Sequence, residues 1–209
     1  MISVLLVDDQ TLVRMGMRLV LEAAGDLTVV GEAGDGRAAL SQVAALDPDV
    51  VLMDVRMPGM SGLELQEHLA ARNIRIPAVI ITGHGDVPMA VRAMKAGAVD
   101  FIEKPFNDEA LLDAIRRALA FEERERSAQS ENHEIQQRLS HLTPREREVM
   151  DMVTEGRSNK EIANTLGVSA KTIEAHRARV MEKMQANSLA HLVRMVMVAE
   201  TQPPANPAP

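Results

Sequence analysis

Residues 50–62 read VVLMDVRMPGMSG, and they begin with four apolar residues that end at a single acid, Asp54. Similar short apolar runs recur in the first 120 residues, at residues 4–7, 28–30, 78–81 and 99–102. An amphipathic segment follows each run, over residues 11–23, 36–46, 62–72, 87–96 and 108–120. Continuous apolar strands that alternate with helices indicate a parallel sheet covered on both faces. The sequence therefore predicts a doubly wound (βα)5 sheet of the α/β class over residues 1–121.

Polar residues stand where the predicted strands end. Asp8 and Asp9 follow the first strand, Asp54 the third and Thr82 the fourth, and Lys104 comes just after the fifth. Because ligands of such sheets bind beyond the carboxyl ends of the strands, we expect these side chains to converge. Each acid taken singly could be a solvated loop residue or a helix cap. Five such residues at successive strand ends favour a site.

Three carboxylates in one pocket repel one another unless a cation neutralises them. Oxygen ligands at this density suit Mg²⁺, which often bridges carboxylates and phosphate. An ionised aspartate beside Mg²⁺ is a workable nucleophile toward phosphorus and would form an aspartyl phosphate. Lys104 could then neutralise phosphate oxygens, and the Thr82 hydroxyl could donate a hydrogen bond to one of them.

The composition disfavours several classes of protein. The chain contains no cysteine, which leaves no disulfide framework, thiol nucleophile or cysteine zinc site. No run approaches the roughly 18 apolar residues of a membrane span, and the N-terminus lacks a signal-peptide pattern. We therefore expect a cytoplasmic protein without a membrane partner.

The net charge of −7 is unevenly distributed along the chain. The balance is −6 over residues 1–121, −2 over residues 122–140 and +1 over residues 141–209. Only the last region is not repelled by a polyanion. Because its charge is small, DNA binding there would depend on a local basic face.

The sequence after the sheet domain predicts a second, all-α domain of four helices, residues 141–199. Residues 122–140 are charged and rich in Gln and Ser, which indicates an exposed linker, helical in part, and a solvated extension of the preceding helix is the alternative to a signalling role. Helix caps follow at Thr143, Ser158 and Ser169, and the last two begin a helix-turn-helix pattern. That pattern alone could also be a purely structural helical hairpin. The proline-rich tail, residues 200–209, is expected to be disordered.

Four segments of the first domain, VLLVDDQ, LMDVRMPGMSG, IITGHGD and DFIEKPF, resemble the signature segments of response-regulator receivers, whose fold is flavodoxin-like. The resemblance implies that Asp54 accepts a phosphoryl group from a sensor histidine kinase. It implies that Mg²⁺ is bound by Asp8, Asp9, Asp54 and the backbone carbonyl of Arg56. It also implies a cis bond between Lys104 and its following proline.

The same resemblance assigns a switch to Thr82 and Phe101. When phosphate attracts the Thr82 hydroxyl, the Phe101 ring would turn inward and repack the face formed by the fourth helix and fifth strand. Many receivers form homodimers through that face. The alternative role for Phe101 is core filling. Four nearby charged residues could form ion pairs across the dimer or simply be solvated: Arg92, Lys95, Asp100 and Glu103.

The segments LTPREREVM, SNKEIANTLGVSAKTIEAHRARVMEKM and SLAHLVRMV resemble the output domain of NarL/LuxR/FixJ-type regulators. Residues 2–60 are most similar to the NarL-type subgroup, and the chain from about residue 82 onward is similar to FixJ-type proteins. The resemblance implies binding to double-stranded promoter DNA, with helix 188–199 as a dimer surface and RNA polymerase as a further partner. Seven residues of the recognition helix would face DNA or its phosphates: Lys171, Thr172, Glu174, Ala175, Arg177, Ala178 and Arg179.

The leading hypothesis is a transcription factor, not an enzyme, that dimerises when phosphorylated. A phosphohydrolase with an aspartyl nucleophile is a second hypothesis. Such enzymes typically need an acid two residues after the nucleophile, where this chain has Arg56. A third is an adaptor that signals through protein contacts alone.

Overall fold

The structure is a computed structural model, and it describes residues 1–83 and 87–201. These residues form two compact units that divide between Glu125 and Arg126. Among the helices of the described ranges, none combines the length and the apolarity that a bilayer crossing requires.

The first unit alternates strands and helices as the apolar runs predicted. Its strands are β1 (Ile2–Val7), β2 (Leu27–Ala33), β3 (Val50–Asp54), β4 (Ala78–Thr82) and β5 (Asp100–Glu103). Its helices are α1 (Thr11–Ala23), α2 (Gly36–Leu46), α3 (Gly62–Ala71), α4 (Val87–Lys95) and α5 (Asp108–Ser140). The strands pair in parallel in the order β2-β1-β3-β4-β5. This confirms the doubly wound sheet.

Both faces of the sheet are buried, which explains why its strands are continuous apolar runs. On one face Leu5, Val51 and Ile80 pack with residues of α2, α3 and α4. On the other face Leu52 and Ile81 pack with residues of α1 and the first part of α5. The order of the strands reverses between β1 and β3, so the crevice beyond their carboxyl ends is where a ligand is expected.

The second unit contains the last part of α5 and four further helices: α6 (Pro144–Thr154), α7 (Asn159–Leu166), α8 (Ala170–Lys183) and α9 (Leu189–Thr201). Thr143 and Ser158 complete the capping boxes that the sequence indicated, and the Ser169 hydroxyl accepts from the Thr172 amide. Gly167 ends α7 in the left-handed conformation, at a φ of 67°. The predicted domain of four helices, with its helix-turn-helix, is therefore confirmed.

Residues 122–140, predicted to be an exposed segment that is helical in part, are helical throughout, and most of them are exposed. They continue α5 without a break, and Ile135 and Leu139 are buried in the core of the second unit. Sparse apolar residues four positions apart are enough to attach one helical face to a core. At the C-terminus, Glu200 and Thr201 belong to α9 rather than to a tail. The remainder of the predicted tail, residues 202–209, lies outside the described residues.

A buried ion pair joins the start of α6 to the end of α8. The Glu146 carboxylate accepts from Lys183 Nζ at 2.6 Å and from the Thr143 amide at 2.9 Å, and Glu146 is 3% exposed. The Lys183 ammonium, followed by the Thr143 amide, holds the pKa of Glu146 down at about 2. Lys183 also donates to the His141 carbonyl, so this one side chain connects the end of α8 both to Glu146 and to the segment that precedes α6.

This ion pair predicts an acid-dependent stability difference. Glu146→Gln should reduce the free energy of unfolding of the second unit by about 1–3 kcal/mol at pH 7, because the Lys183 charge loses its buried partner. An unfolded carboxylate has an ordinary pKa, so the difference should be complete above pH 5 and should disappear as the pH falls toward 2. Urea unfolding followed by circular dichroism between pH 7 and pH 3 measures it. The control is Glu161→Gln, an exposed capping-box acid bound to Ser158. Equal effects of the two substitutions at pH 7 would contradict the prediction.

Candidate functional site

The three predicted acids meet at the point where the strand order reverses. Asp8 and Asp9 follow β1, and Asp54 ends β3. One carboxylate oxygen from each of the three lies within 4.8 Å of the others. Asp8 is fully buried and Asp54 nearly so, whereas Asp9 is exposed. One edge of this acidic cluster is therefore open to a ligand from solvent.

Lys104 bridges the two buried acids. Its Nζ donates to Asp8 Oδ2 at 2.6 Å and to Asp54 Oδ2 at 3.0 Å. Burial acts to lower the pKa of Lys104, but the hydrogen bonds and charges of Asp8 and Asp54 outweigh it and raise that pKa. The lysine is therefore fully charged at neutral pH. The Lys104–Pro105 bond is cis, as the sequence resemblance implied.

Backbone groups fix the orientation of the acids. The Gln10 amide donates to Asp8 Oδ1 at 2.8 Å, and the Arg56 amide donates to Asp54 Oδ1 at 3.3 Å. The second contact brings the Arg56 amide beside Asp54, whereas the Arg56 carbonyl belongs to the next peptide, and its role as a ligand stays a prediction. The three carboxylates are oxygen donors of the kind that Mg²⁺ prefers. Asp8, Asp9 and Asp54 are the side chains that would hold the ion.

Gly62, which the sequence did not single out, packs closely against the backbone of Asp54. Gly62 begins α3, and a Cβ built at this position would collide with the Asp54 carbonyl oxygen. The Gly62 amide donates to the Val55 carbonyl at 3.1 Å. Helix α3 can approach the acid this closely only because residue 62 has no side chain. The signal was present in the MPGMSG segment, where the glycine follows the Ser61 cap.

The two proposed switch residues lie in the expected strands, Thr82 at the end of β4 and Phe101 in β5. Thr82 is buried, and its hydroxyl donates to the Gly83 carbonyl at 3.3 Å. Phe101 is 44% exposed, so its ring does not fill the core. Residues 84–86, part of the IITGHGD segment, lie outside the described residues.

One of the charged residues expected at a dimer face has a partner within the chain. Asp100 accepts from Arg117 of α5 at 2.6 Å. Since both side chains are at least partly exposed, the pair is worth little in stability. Asp100 therefore already has a cationic partner within its own chain.

The predicted DNA-facing residues form one largely exposed surface of α8. Lys171, Glu174, Ala175, Ala178 and Arg179 are exposed and Thr172 is half-buried, while Ile173 and Val180 on the opposite side are buried in the core. Thr172 also exchanges a hydrogen bond with the Ser169 hydroxyl at the start of the helix. The arrangement leaves the first turns of α8 accessible to a large ligand.

Two basic residues of α8 are bound inside the domain. Arg177 is half-buried and donates to Asn159 Oδ1 of α7 at 2.7 Å. Lys183 donates a hydrogen bond to the Glu146 carboxylate. The sequence predicted that Arg177 faces DNA or its phosphates, because sequence periodicity does not distinguish a solvated cation from one that connects two helices. Arg179 remains on the exposed side.

Comparison with known proteins assigns both units to families. Residues 4–116 match the response regulator receiver domain, and residues 140–196 match the luxR family of bacterial regulatory proteins. The chain therefore belongs to the two-component response regulators that combine a receiver with a LuxR-type DNA-binding domain.

Within that class the chain is similar to FixJ proteins. It is 41% identical to the transcriptional regulatory protein FixJ of Azorhizobium caulinodans, over 97% of this chain and 95% of the relative. It is 45% identical to FixJ of Rhizobium meliloti, over 93% and 95%. The crystal structure of full-length FixJ from B. japonicum matches at 43% identity and a TM-score of 0.56, covering 96% of this chain and 98% of that one. These relatives are transcriptional regulators, which agrees with the leading hypothesis from sequence.

Because Lys104 binds both Asp8 and Asp54, we expect the lysine and a divalent cation to stabilise the same two acids. Lys104→Ala should lower the free energy of unfolding of the receiver by about 1.5–3 kcal/mol without Mg²⁺, because Asp8 stays buried without its cation. Mg²⁺ should restore more stability to the variant than to the wild type, since it binds the folded, more negative cluster. Thermal unfolding at increasing Mg²⁺ measures both effects, with the exposed Lys95→Ala as the charge-matched control. A stability difference that is independent of Mg²⁺ concentration would contradict the prediction.

Proposed function

We propose that the protein is a cytoplasmic transcription factor in which a sensor histidine kinase phosphorylates Asp54 with Mg²⁺. Phosphorylation promotes homodimerisation and sequence-specific binding to promoter DNA. The observation that carries the proposal is the acidic cluster at the switch point, whose buried carboxylates are held by one lysine. A receiver needs such a cluster to bind a cation and accept a phosphoryl group.

Asp54 is the acceptor in this proposal because it is less completely buried than Asp8 and has a supporting charge in Lys104. An Asp54 carboxylate oxygen forms the bond to phosphorus while the bond from phosphorus to the donor nitrogen breaks, and the electron pair leaves with the donor. Mg²⁺ would screen the phosphoryl oxygens during this step. Lys104, already at 3.0 Å from Asp54, can transfer its hydrogen bond to a phosphoryl oxygen. Asp8 is fully buried and bound at both oxygens, which suits a ligand better than a nucleophile.

The first helix offers a surface for the kinase. Leu12, Met15 and Leu19 of α1 are exposed, and their spacing of three and four residues places them on one side of the helix. Exposed apolar side chains grouped on one face are typical of contact surfaces. The group lies on the helix that follows Asp8 and Asp9, so a kinase bound there would be close to the acidic cluster.

The output of phosphorylation is proposed to pass through Thr82 and Phe101. The Thr82 hydroxyl makes a long bond to the Gly83 carbonyl, which a phosphoryl oxygen could replace. Movement of Thr82 would free space for the Phe101 ring, which now faces solvent. The face around Phe101 would then favour a second copy. Since residues 141–209 carry only +1, two copies on adjacent half-sites would bind DNA far better than one, and RNA polymerase could be recruited there.

The assignment of Asp54 predicts the site of phosphorylation. Incubation with acetyl phosphate and Mg²⁺ should label the wild type and shift it from monomer to dimer in analytical ultracentrifugation. Asp54→Asn should lose the label and stay monomeric, while Asp49→Asn, a partly exposed acid bound to Ser3, should behave like the wild type. Label retained by Asp54→Asn would refute the assignment, and multiple-turnover hydrolysis of ordinary phosphomonoesters would favour a phosphohydrolase instead.

The exposed face of α8 predicts how binding to promoter DNA depends on salt. Arg179→Ala should weaken binding of the phosphorylated protein and reduce the slope of log K against log salt by about 0.9 for each domain on DNA, because one phosphate contact is lost. Fluorescence anisotropy over a range of salt concentrations measures the slope. The matched control is Arg75→Ala in the receiver, which is also exposed. A slope unchanged in Arg179→Ala would place α8 away from the phosphates.

A further inference from the structure

Arg14 of α1 makes a hydrogen bond to the backbone between the two acids that follow β1. Its NH1 donates to the Asp8 carbonyl oxygen at 2.6 Å, and its NH2 donates to the Thr11 hydroxyl at 3.3 Å. The Asp8 carbonyl belongs to the peptide group that joins Asp8 to Asp9. Rotation of that peptide would change the direction of both side chains, so one hydrogen bond to it constrains two acids together.

Arg14 is in turn held by a fixed partner on the neighbouring strand. Its Nε donates to Glu32 Oε2 at 3.0 Å, and Glu32 belongs to β2, where it pairs in register with Leu6 of β1. Burial acts to raise the pKa of Glu32, but the hydrogen bonds and charges of Arg14 and Arg18 outweigh it and lower that pKa. Glu32 is therefore ionised at neutral pH. The planar guanidinium reaches the strand and the loop at once, which a lysine could not do.

We propose that Arg14, held by Glu32, is a positioning residue for the metal half of the site. It fixes the peptide between Asp8 and Asp9 so that both carboxylates point toward one cation. Asp9 needs such support most, because it is exposed and its orientation follows from its backbone. The inference rests on the proposed function, since it assumes that the acids bind Mg²⁺.

The structure supplies a control with the same charge. Arg18 lies one turn further along α1, and it also binds Glu32, with Nε at 2.8 Å from Oε1. Arg18 also binds Glu22, at 3.0 Å. Arg18→Ala therefore removes one positive charge and one Glu32 contact from the same helix, as Arg14→Ala does. Only Arg14 contacts the Asp8–Asp9 peptide among the contacts described for the two arginines.

Positioning and simple electrostatics predict opposite results for Mg²⁺ binding. Loss of a nearby cation alone would tighten the binding of Mg²⁺. If Arg14 positions the acids, Arg14→Ala should weaken Mg²⁺ binding by about 10-fold or more, as substitutions behind metal ligands do. Arg14→Lys should be intermediate, because the ammonium retains the charge without the fork. Arg18→Ala should leave the dissociation constant within about two-fold of the wild type, as expected for a partly exposed charge that makes no contact with the Asp8 carbonyl among the described hydrogen bonds.

The experiment is a calorimetric titration of the unphosphorylated, full-length protein with Mg²⁺, at a temperature well below unfolding. A second readout is the Mg²⁺ dependence of labelling by acetyl phosphate. In Arg14→Ala the half-saturating Mg²⁺ concentration should rise, while the rate at saturating Mg²⁺ should return to near the wild-type value. A purely structural defect would instead lower the rate at all Mg²⁺ concentrations.

The possible failures are distinguishable. Unchanged or tighter Mg²⁺ binding by Arg14→Ala overturns the positioning role and leaves the proposed function intact. Equal weakening in Arg14→Ala and Arg18→Ala overturns it as well, because the Asp8 contact would then be irrelevant. If the wild type itself binds no Mg²⁺, the metal site of the proposed function fails and the role of Arg14 fails with it.

Discussion

The ammonium group of Lys104 lies between two buried carboxylates, and the receiver depends on this contact. Asp8 directly follows β1 and Asp54 ends the adjacent strand β3, and both are almost fully removed from water. Two carboxylates buried side by side repel each other and have lost most of their hydration, so a cation between them is strongly stabilising. Lys104 therefore allows the acids to be buried before any ligand arrives. It also keeps them available, since a salt bridge can be exchanged for contacts to a cation and a phosphoryl group.

The rest of the receiver can be understood as the frame that holds this contact at the edge of the sheet. Parallel pairing places the end of β1 beside the end of β3, and β5 delivers Lys104 from the other edge of the sheet. Gly62 lets α3 approach Asp54, and the Arg56 and Gln10 amides orient the two acids. The apolar core contributes rigidity rather than chemistry. Its dense packing keeps the strand ends in register, so that a small change at Asp54 is not absorbed by the frame.

The sequence was sufficient for the architecture and for the central acids, for a physical reason. Strands buried on both faces must be apolar throughout, so a charged residue at their ends stands out, as Asp54 does after Val50–Met53. Capping at Thr143 and Ser158 was equally readable, because the motif is local in sequence. The roles of Arg14, Arg177 and Glu146 could not be read in this way. Each lies on an amphipathic helix, where a charged residue is expected to be solvated, and its partner is distant in sequence.

Arg14, Arg177 and Glu146 each connect two parts of the structure, as Lys104 does for the central acids. In each case a charged side chain connects two elements that local patterns describe separately: α1 with β2 and the β1–α1 loop, α7 with α8, and α6 with α8. A charge is costly to bury, so a sequence retains it inside only where its partner is well placed. Charged residues that are buried or half-buried in an otherwise polar helical face are therefore the positions where periodicity gives the least information and the structure the most. In this chain Arg14 contacts the peptide between the two acids proposed to bind a metal, and Arg177 belongs to the helix proposed to bind DNA, so small errors in their positions would affect binding directly.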